Sequence, residues 1–346
     1  MDLTAPRRLG MTGLMISPIG VGTWAFGGQW GPASETASVS TIHRALDLGA
    51  NWIDTAPSYG GGRSEEIVAR AIRGLDEPPL LFTKCGVFFD TTGVFGSRLD
   101  AASIRGEMEG SLTRLGLDAI DLYQIHWGQP DAMIEEAWST LVALRDEGKV
   151  RHIGVSNFTR EQIERCSTVA PVETVQPPYS MLSRTALWTA PYVGNVPRKH
   201  IEHELLPHCS IRNIGVLCFS PLASGLLSSR LSAERIAALP DDDWRTSEPD
   251  FGADRIARVI PLLRELEGLA ARMDATVEQL AIAWMLSVPS ITGVIAGMRT
   301  PEQAAAILAS ADLNIPLALL TEVNQLLASY DDSESPTLQE GSQCQN

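Results

Sequence analysis

Short apolar runs alternate along most of this chain with stretches whose apolar residues recur at helical spacing and stop at a glycine. Two runs at 7–9 and 14–16, parted by Gly10 to Gly13, predict a small hairpin ahead of the repeat. Ile19 to Trp24 then reads as a strand ending in a loop rich in glycine and tryptophan. Val39, Ile42, Ala45 and Leu46 form one face of a helix closed by Gly49, and Trp52 and Ile53 come next as a short buried strand. Ile67, Ala71 and Ile72 mark a second helix before the strand at 80–83. Ile104, Met108, Leu112 and Leu115 mark a third, with Asp100 near its cap and Gly116 past its end, before the strand at 120–125. Ile134, Ala137, Leu141 and Leu144 make a fourth, closed by Gly148 ahead of the strand at 150–155. Later units fit more loosely: strands at 172–175, 214–219 and 291–295, a helix start at 201–206 and a last helix at 304–308. Eight strands, each followed by a helical or loop segment, predict an α/β fold closed as a (β/α)8 TIM barrel rather than an open doubly wound sheet. Two additional helices, at 254–273 and 316–329, stand outside the alternation. The expectation is one domain over 1–330 and a polar tail, 331–346, too poor in apolar residues to fold.

Composition supports this picture without refining it. Of 346 residues, 44% are hydrophobic and 20% charged, enough apolar material for a large core. A net charge of −15 argues against a nucleic-acid partner, which would require clustered Lys and Arg. Gly10, Thr12 and Gly13 interrupt the segment after Arg7 and Arg8, so no signal-peptide apolar region forms, and no run approaches the ~20 apolar residues of a membrane helix. Cys85, Cys166, Cys209, Cys218 and Cys344 are odd in number, with no C-x-x-C pair, which leads to the expectation of a reduced, cytoplasmic protein. A monomer and a small homo-oligomer are both compatible.

Barrel closure gives three strand ends a common meaning. The C-terminal ends of all strands open on one face, so Asp54 and Tyr59 after strand two, Lys84 at the end of strand three and His126 after strand four should converge there. A carboxylate, a phenol, an ammonium and an imidazole together suit proton transfer to a carbonyl oxygen. A Tyr titrates near ~10 and is a poor acid at neutral pH; an adjacent ammonium favours its phenolate and should bring it closer to the working range. Asp54 would hold Lys84 charged and in position, and His126 could orient or polarise the carbonyl.

At these residues the chain resembles the aldo-keto reductase family, over about 8–330. The resemblance is carried by Gly22-Thr23-Trp24, Asp54-Thr55-Ala56-Pro57-Ser58-Tyr59-Gly60, Thr83-Lys84, 121–127 (DLYQIHW), 148–158 (GKVRHIGVSNF), 176–180 (QPPYS), Phe219-Ser220-Pro221-Leu222 with Gly225-Leu226-Leu227, and 297–303 (GMRTPEQ). It implies an NAD(P)H-dependent carbonyl reductase, with Tyr59 as general acid, Lys84 tuning it, Asp54 supporting Lys84 and His126 orienting the substrate. It further implies that Ser156, Asn157 and Gln176 hold the nicotinamide carboxamide and that Phe219 stacks on the ring. Ser220, Leu222 and Gly225 would then place backbone groups near the pyrophosphate, with Gly22, Thr23, Pro221, Leu226, Gly297 and Gln303 also among the cofactor-binding residues. Arg299 falls where the family contacts the adenosine 2′-phosphate, so the expected cofactor is NADPH/NADP+. The runner-up function is a nucleotide-binding regulatory or redox-sensing subunit on the same fold.

Two departures from the family pattern stand out. Ile307 replaces an Asn that many members use against adenine, and residues 185–200 form an apparent insertion after strand six. That insertion should emerge on the active-site face, which makes Trp188 and Tyr192 candidates to touch substrate or close over the cofactor. Trp24 and Trp127 are candidate pocket walls, while Trp30 could serve in core or pocket. Two other motifs fail on their context. Gly20-Val21-Gly22-Thr23-Trp24-Ala25, with Asp54 downstream, has the outline of a dinucleotide fingerprint, but the glycines after Ala25 cannot open the helix it requires. His200, His203, His208 and Cys209 look metal-like but do not share one helix face, and Pro207 intrudes, so no metal site is expected.

Overall fold

Eight short parallel strands close on themselves in sequence order: β1 (Ile19–Gly22), β2 (Trp52–Asp54), β3 (Leu80–Cys85), β4 (Ile120–Ile125), β5 (Val150–Ser156), β6 (Thr174–Gln176), β7 (Gly215–Phe219) and β8 (Gly293–Gly297). β8 pairs back onto β1, with Gly297 opposite Gly22. The computed structural model describes residues 5–28, 30, 34–89, 95–184, 201–240 and 243–334. Residues 185–200, including Trp188 and Tyr192, lie outside the described residues.

The period of two along each strand sets the interior. Trp52, Phe82, Leu122, Leu217 and Ile295 point inward and form an apolar layer, joined from below by Leu9 and Ile16 of the N-terminal hairpin. That hairpin pairs Arg7–Arg8 with Met15–Ile16 and plugs the barrel's lower end. The fit is tight: a Cβ on Gly20 would lie 2.2 Å from the Trp52 indole, and one on Gly215 would lie 2.5 Å from a Leu9 methyl. One pleat further up, the inward positions are polar: Asp54, Lys84, Gln124 and Gln176, all buried. The outward positions, such as Ile53, Leu81, Tyr123 and Ile153, join the main core under the helices.

The helices are α1 (Glu35–Asp47), α2 (Arg63–Ile72), α3 (Ala101–Leu115), α4 (Ile134–Asp146), α5 (Arg160–Ser167), α6 (Leu206–Arg212), α7 (Ala233–Ala237), α8 (Ala253–Ala271), α9 (Val277–Leu286), α10 (Pro301–Leu308) and α11 (Leu317–Glu334). Their starts follow ordinary capping chemistry: Ser34, Asp100, Thr159, Thr276 and Thr300 each accept a backbone N–H of their own first turn. The two helices expected outside the alternation correspond to α8 and α11. Four elements were not anticipated: α5, α7, α9 and a second hairpin, Val87–Phe89 with Phe95–Ser97, that rises from the end of β3. α11 continues to Glu334, four residues into the segment expected as a tail; the rest of that tail lies outside the described residues. Among the described residues no single helix is long and apolar enough to cross a membrane.

Candidate active site

The polar layer of the barrel interior ends in a connected group. Lys84 is fully buried, and its Nζ donates to Asp54 Oδ1 at 2.5 Å, to the Thr55 carbonyl at 3.0 Å and to the Tyr59 hydroxyl at 3.4 Å. Those three acceptors accommodate the three protons of an ammonium. Tyr59 arrives from the loop between β2 and α2, and the first turn of α2 is clamped to the β1 loop: the Ser64 hydroxyl donates to the Thr23 carbonyl and to Thr23 Oγ1. His126 follows β4 directly, and its ring meets that of Tyr59 edge to face, with centroids 5.9 Å apart. The four candidate residues therefore do come together: Asp54, Lys84 and His126 at the ends of the strands the sequence assigned to them, and Tyr59 from the loop after β2.

Electrostatics sharpen two roles. His126 is held well below the ordinary imidazole value, first by burial and then by the Lys84 charge, so it is neutral and can offer a hydrogen bond but no positive charge. Lys84 loses some basicity to burial, but the charges of Asp54 and Tyr59 and its hydrogen bonds to both raise it overall. The expectation that Lys84 brings Tyr59 toward neutrality is corrected. Burial is the largest influence on the phenol and raises it; Lys84 pulls it down and Asp54 pushes it up, and the net value lies above the ordinary one. Tyr59 therefore holds its proton firmly, and the ammonium only offsets part of the cost of burial.

The residues expected around a nicotinamide also converge. Ser156 donates to the Gln176 carbonyl at 2.9 Å, and Asn157 Nδ2 donates to Ser156 Oγ and to the His126 carbonyl, both at 3.0 Å. Gln176 Nε2 donates to Asp54 Oδ2 at 2.8 Å, which links this group to the Lys84 cluster. Past β7, Ser220, Ala223, Ser224 and Gly225 all have positive φ, so the turn curls its backbone into a concavity suited to anions. Phe219 is partly exposed at its edge, with Ser220 and Leu222. Leu226 and Pro221 are buried and can offer only backbone. Gly22 is packed against Ile295, and Thr23 spends both its N–H and its hydroxyl on the Asp54 carbonyl, at 3.1 and 3.0 Å; both shape the floor of the site.

On the rim, Arg299, Thr300 and Gln303 face Ser34, Ala37, Ser38 and Phe26 across a cavity of about 290 Å³. The N-termini of α1 and α10 both border it, and Arg299 Nη1 donates to the Trp30 carbonyl at 2.9 Å. An arginine between two helix N-termini is a fitting seat for a phosphate. Gln303 accepts from the Arg299 backbone N–H at 2.8 Å and so fixes the loop. Space remains open above Gly297, where a Cβ would meet nothing within 4 Å. The concave turn and the cationic cavity together fit a dinucleotide phosphate. Ile307, by contrast, is buried in the core and turns away from the cavity.

Sequence reasoning missed part of this rim. Trp24 and Trp30 pack against Trp244, with centroids 5.3 and 5.6 Å from it, and Arg245 lies 4.9 Å over the Trp30 ring. Buried Asp243 holds Arg245 through two side-chain bonds of 2.9 and 2.7 Å. Nothing in the spacing of 243–251 signalled a site; only the fold brings it over the β1 loop. Trp30, left between core and pocket, belongs to this aromatic cluster, while Trp127 stands beside His126 with nearly parallel rings, 6.3 Å between centroids.

Comparison with known proteins agrees with the geometry. Residues 18–328 match the model of the aldo/keto reductase family. The chain is 38% identical to aldo-keto reductase YhdN of Bacillus subtilis (strain 168), over 86% of this chain and 85% of that one. It is 32% identical to an NADH-specific methylglyoxal reductase of Escherichia coli (strain K12), over 93% and 98%. Its structure is similar to that of the glycerol dehydrogenase AKR11B4 from Gluconobacter oxydans, with a TM-score of 0.82 and 33% identity, covering 95% and 97% of the two chains.

Proposed function

The chain belongs to the aldo/keto reductase family, and from that premise we propose that it reduces a small aldehyde or ketone to the alcohol, reversibly, with NADPH as its preferred reductant and Tyr59 as proton donor. The coarser statement, an oxidoreductase of carbonyl and CH–OH groups in a nicotinamide-dependent family, follows from membership itself. The observation that carries the finer one is the buried chain from Asp54 through Lys84 to the Tyr59 hydroxyl, with neutral His126 beside it.

A carbonyl oxygen placed between Tyr59 and His126 would receive two hydrogen bonds before reaction. A bound NADPH would supply the hydride, forming the new C–H bond at the carbonyl carbon. Negative charge then develops on the oxygen, and the Tyr59 proton passes to it, giving the alcohol and a phenolate. The phenolate forms beside the Lys84 ammonium, which Asp54 holds in place, so the charge appears where a cation already stands. A firmly held phenol proton suits this order: it leaves only when the oxygen has become strongly basic. Solvent then reprotonates Tyr59. Ser156, Asn157 and Gln176 are the groups available to hold the carboxamide; the turn at 220–225 and Arg299 are those available to the phosphates.

The names of the relatives point to small oxygenated carbonyl compounds. Turnover of methylglyoxal, glyceraldehyde, aromatic aldehydes and diketones with each cofactor tests the reading. Tyr59→Phe should abolish reduction while leaving NADPH affinity within a few-fold, because only the proton donor is lost. Comparable turnover in that variant would remove Tyr59 from its role.

A further inference from the structure

We propose that Glu107, on α3 outside the barrel, is a positioning residue for carbonyl reduction, holding the Cys85–Gly86 peptide that sets His126 against Lys84 and Tyr59. A single peptide unit joins the two sides. Its carbonyl, on Cys85, accepts the His126 N–H at 2.9 Å, and its N–H, on Gly86, donates to Glu107 Oε2 at 3.0 Å. Lys84 is the residue immediately before it. Rotation of this peptide would move the His126 backbone and the Lys84 strand end together, and Glu107 is the group on its outer side that opposes rotation.

Gly86 is itself constrained. Its φ is +88°, and a Cβ there would lie 2.6 Å from a Leu99 methyl, so the position demands glycine. Its carbonyl accepts from the Ser97 hydroxyl at 2.8 Å and from the Arg98 N–H at 3.0 Å, which ties the second hairpin to the same point. Glu107 is fixed in turn by the Ser103 hydroxyl at 3.3 Å, one helical turn away. Around it stand Arg98, just past the hairpin, and Arg114 from α3, the latter paired with Glu65 of α2; the Cys85 thiol and the Tyr123 phenol face it from β3 and β4, both kept neutral by burial.

Burial raises Glu107 to about 7, against the bonds from Gly86 and Ser103 and the charges of Arg98 and Arg114. Its carboxylate is the stronger acceptor for the Gly86 N–H, since a charge-assisted bond is about twice as strong as a neutral one. Activity should therefore rise as pH increases through neutrality. The rise cannot be assigned to His126, whose titration lies far lower.

This inference depends on the roles given to Tyr59, Lys84 and His126. The experiment is kcat for carbonyl reduction by the full chain from about pH 5.5 to about pH 9, with KM for NADPH measured alongside. The wild type should show a limb rising through about 7. In Glu107→Gln the limb should vanish and kcat at the alkaline end should fall roughly tenfold, with KM for NADPH unchanged. Ser103→Ala, which removes a bond favouring the carboxylate, should move the limb to higher pH and remains informative if the Gln variant does not fold. A wild type without such a limb, a Gln variant that keeps both limb and kcat, or an unmoved limb in Ser103→Ala would overturn the proposal. An inactive Tyr59→Phe with an unaltered Glu107→Gln would defeat this inference alone; an active Tyr59→Phe would defeat the site assignment with it.

Discussion

Among single residues, Arg299 is where the chemistry of the cofactor can be tested most directly. Its guanidinium borders the 290 Å³ cavity between two helix N-termini, and a planar fork of donors matches a phosphate dianion. Arg299→Ala should shrink the preference for NADPH over NADH by at least about tenfold in kcat/KM, the worth of one charge-assisted contact. An unchanged ratio would detach Arg299 from cofactor choice, an outcome made pointed by the NADH-specific name of one relative. The convergence of Asp54, Lys84 and His126 was legible in the sequence because each closes an apolar run, with Tyr59 following in the loop after Asp54, and barrel geometry converts that position into proximity. The balance of forces on Tyr59 could not be read the same way. A neighbouring lysine is visible as a letter, whereas the burial that outweighs it exists only after folding.

At the scale of elements, the least visible residues are those that hold others in place. Glu65 looks like any acidic residue in the first turn of a helix, yet it is fully buried, accepting from Thr83 Oγ1 at 2.7 Å and from Arg114 Nε at 2.6 Å. It joins α2, which follows the Tyr59 loop, to β3 just before Lys84, and to α3. Replacing it with Ala leaves a buried hydroxyl and a largely covered guanidinium without their acceptor. Glu65→Ala should therefore cost about 3 kcal/mol of unfolding free energy in denaturant titration. A loss below about 1 kcal/mol would show that water or rearrangement satisfies both donors. Helix α5 escaped notice for a related reason. Only Ile163 and Cys166 of its eight residues are buried, so its period is faint, and its Thr159–Gln162 capping box was the available signal. The hairpin after β3 was hidden by its length, three residues to a strand. Trp244 and Arg245 reach the site only by tertiary folding.

For the whole molecule, periodicity was sufficient to predict the barrel because eight repeats of one unit reinforce one another even where single units are weak. β6, expected at 172–175 and found at Thr174–Gln176, illustrates how loosely one unit can fit while the count still holds. The hairpin was also legible, but its purpose was not: Leu9 and Ile16 complete the apolar layer inside the barrel. Leu9→Ala should cost about 2–5 kcal/mol, measured by denaturant unfolding, because a fully buried side chain is removed where Gly215 and Trp52 leave nothing to collapse inward. A cost under about 1 kcal/mol would mean that the hairpin caps the barrel without filling it.

The same hairpin bears on how the chain is made. Arg7 donates through its two terminal nitrogens to the carbonyls of Ile291 and Leu286, each at 3.1 Å, and β1 finds one of its two neighbours in β8. The hairpin and β1 thus acquire these partners only when residues 286–297 have been synthesised. Until then Leu9, Ile16 and an edge of β1 wait uncovered, the kind of exposed apolar surface that invites association with other chains or with chaperones. Ring closure of this sort joins segments as much as 284 residues apart, which places the decisive event of folding late.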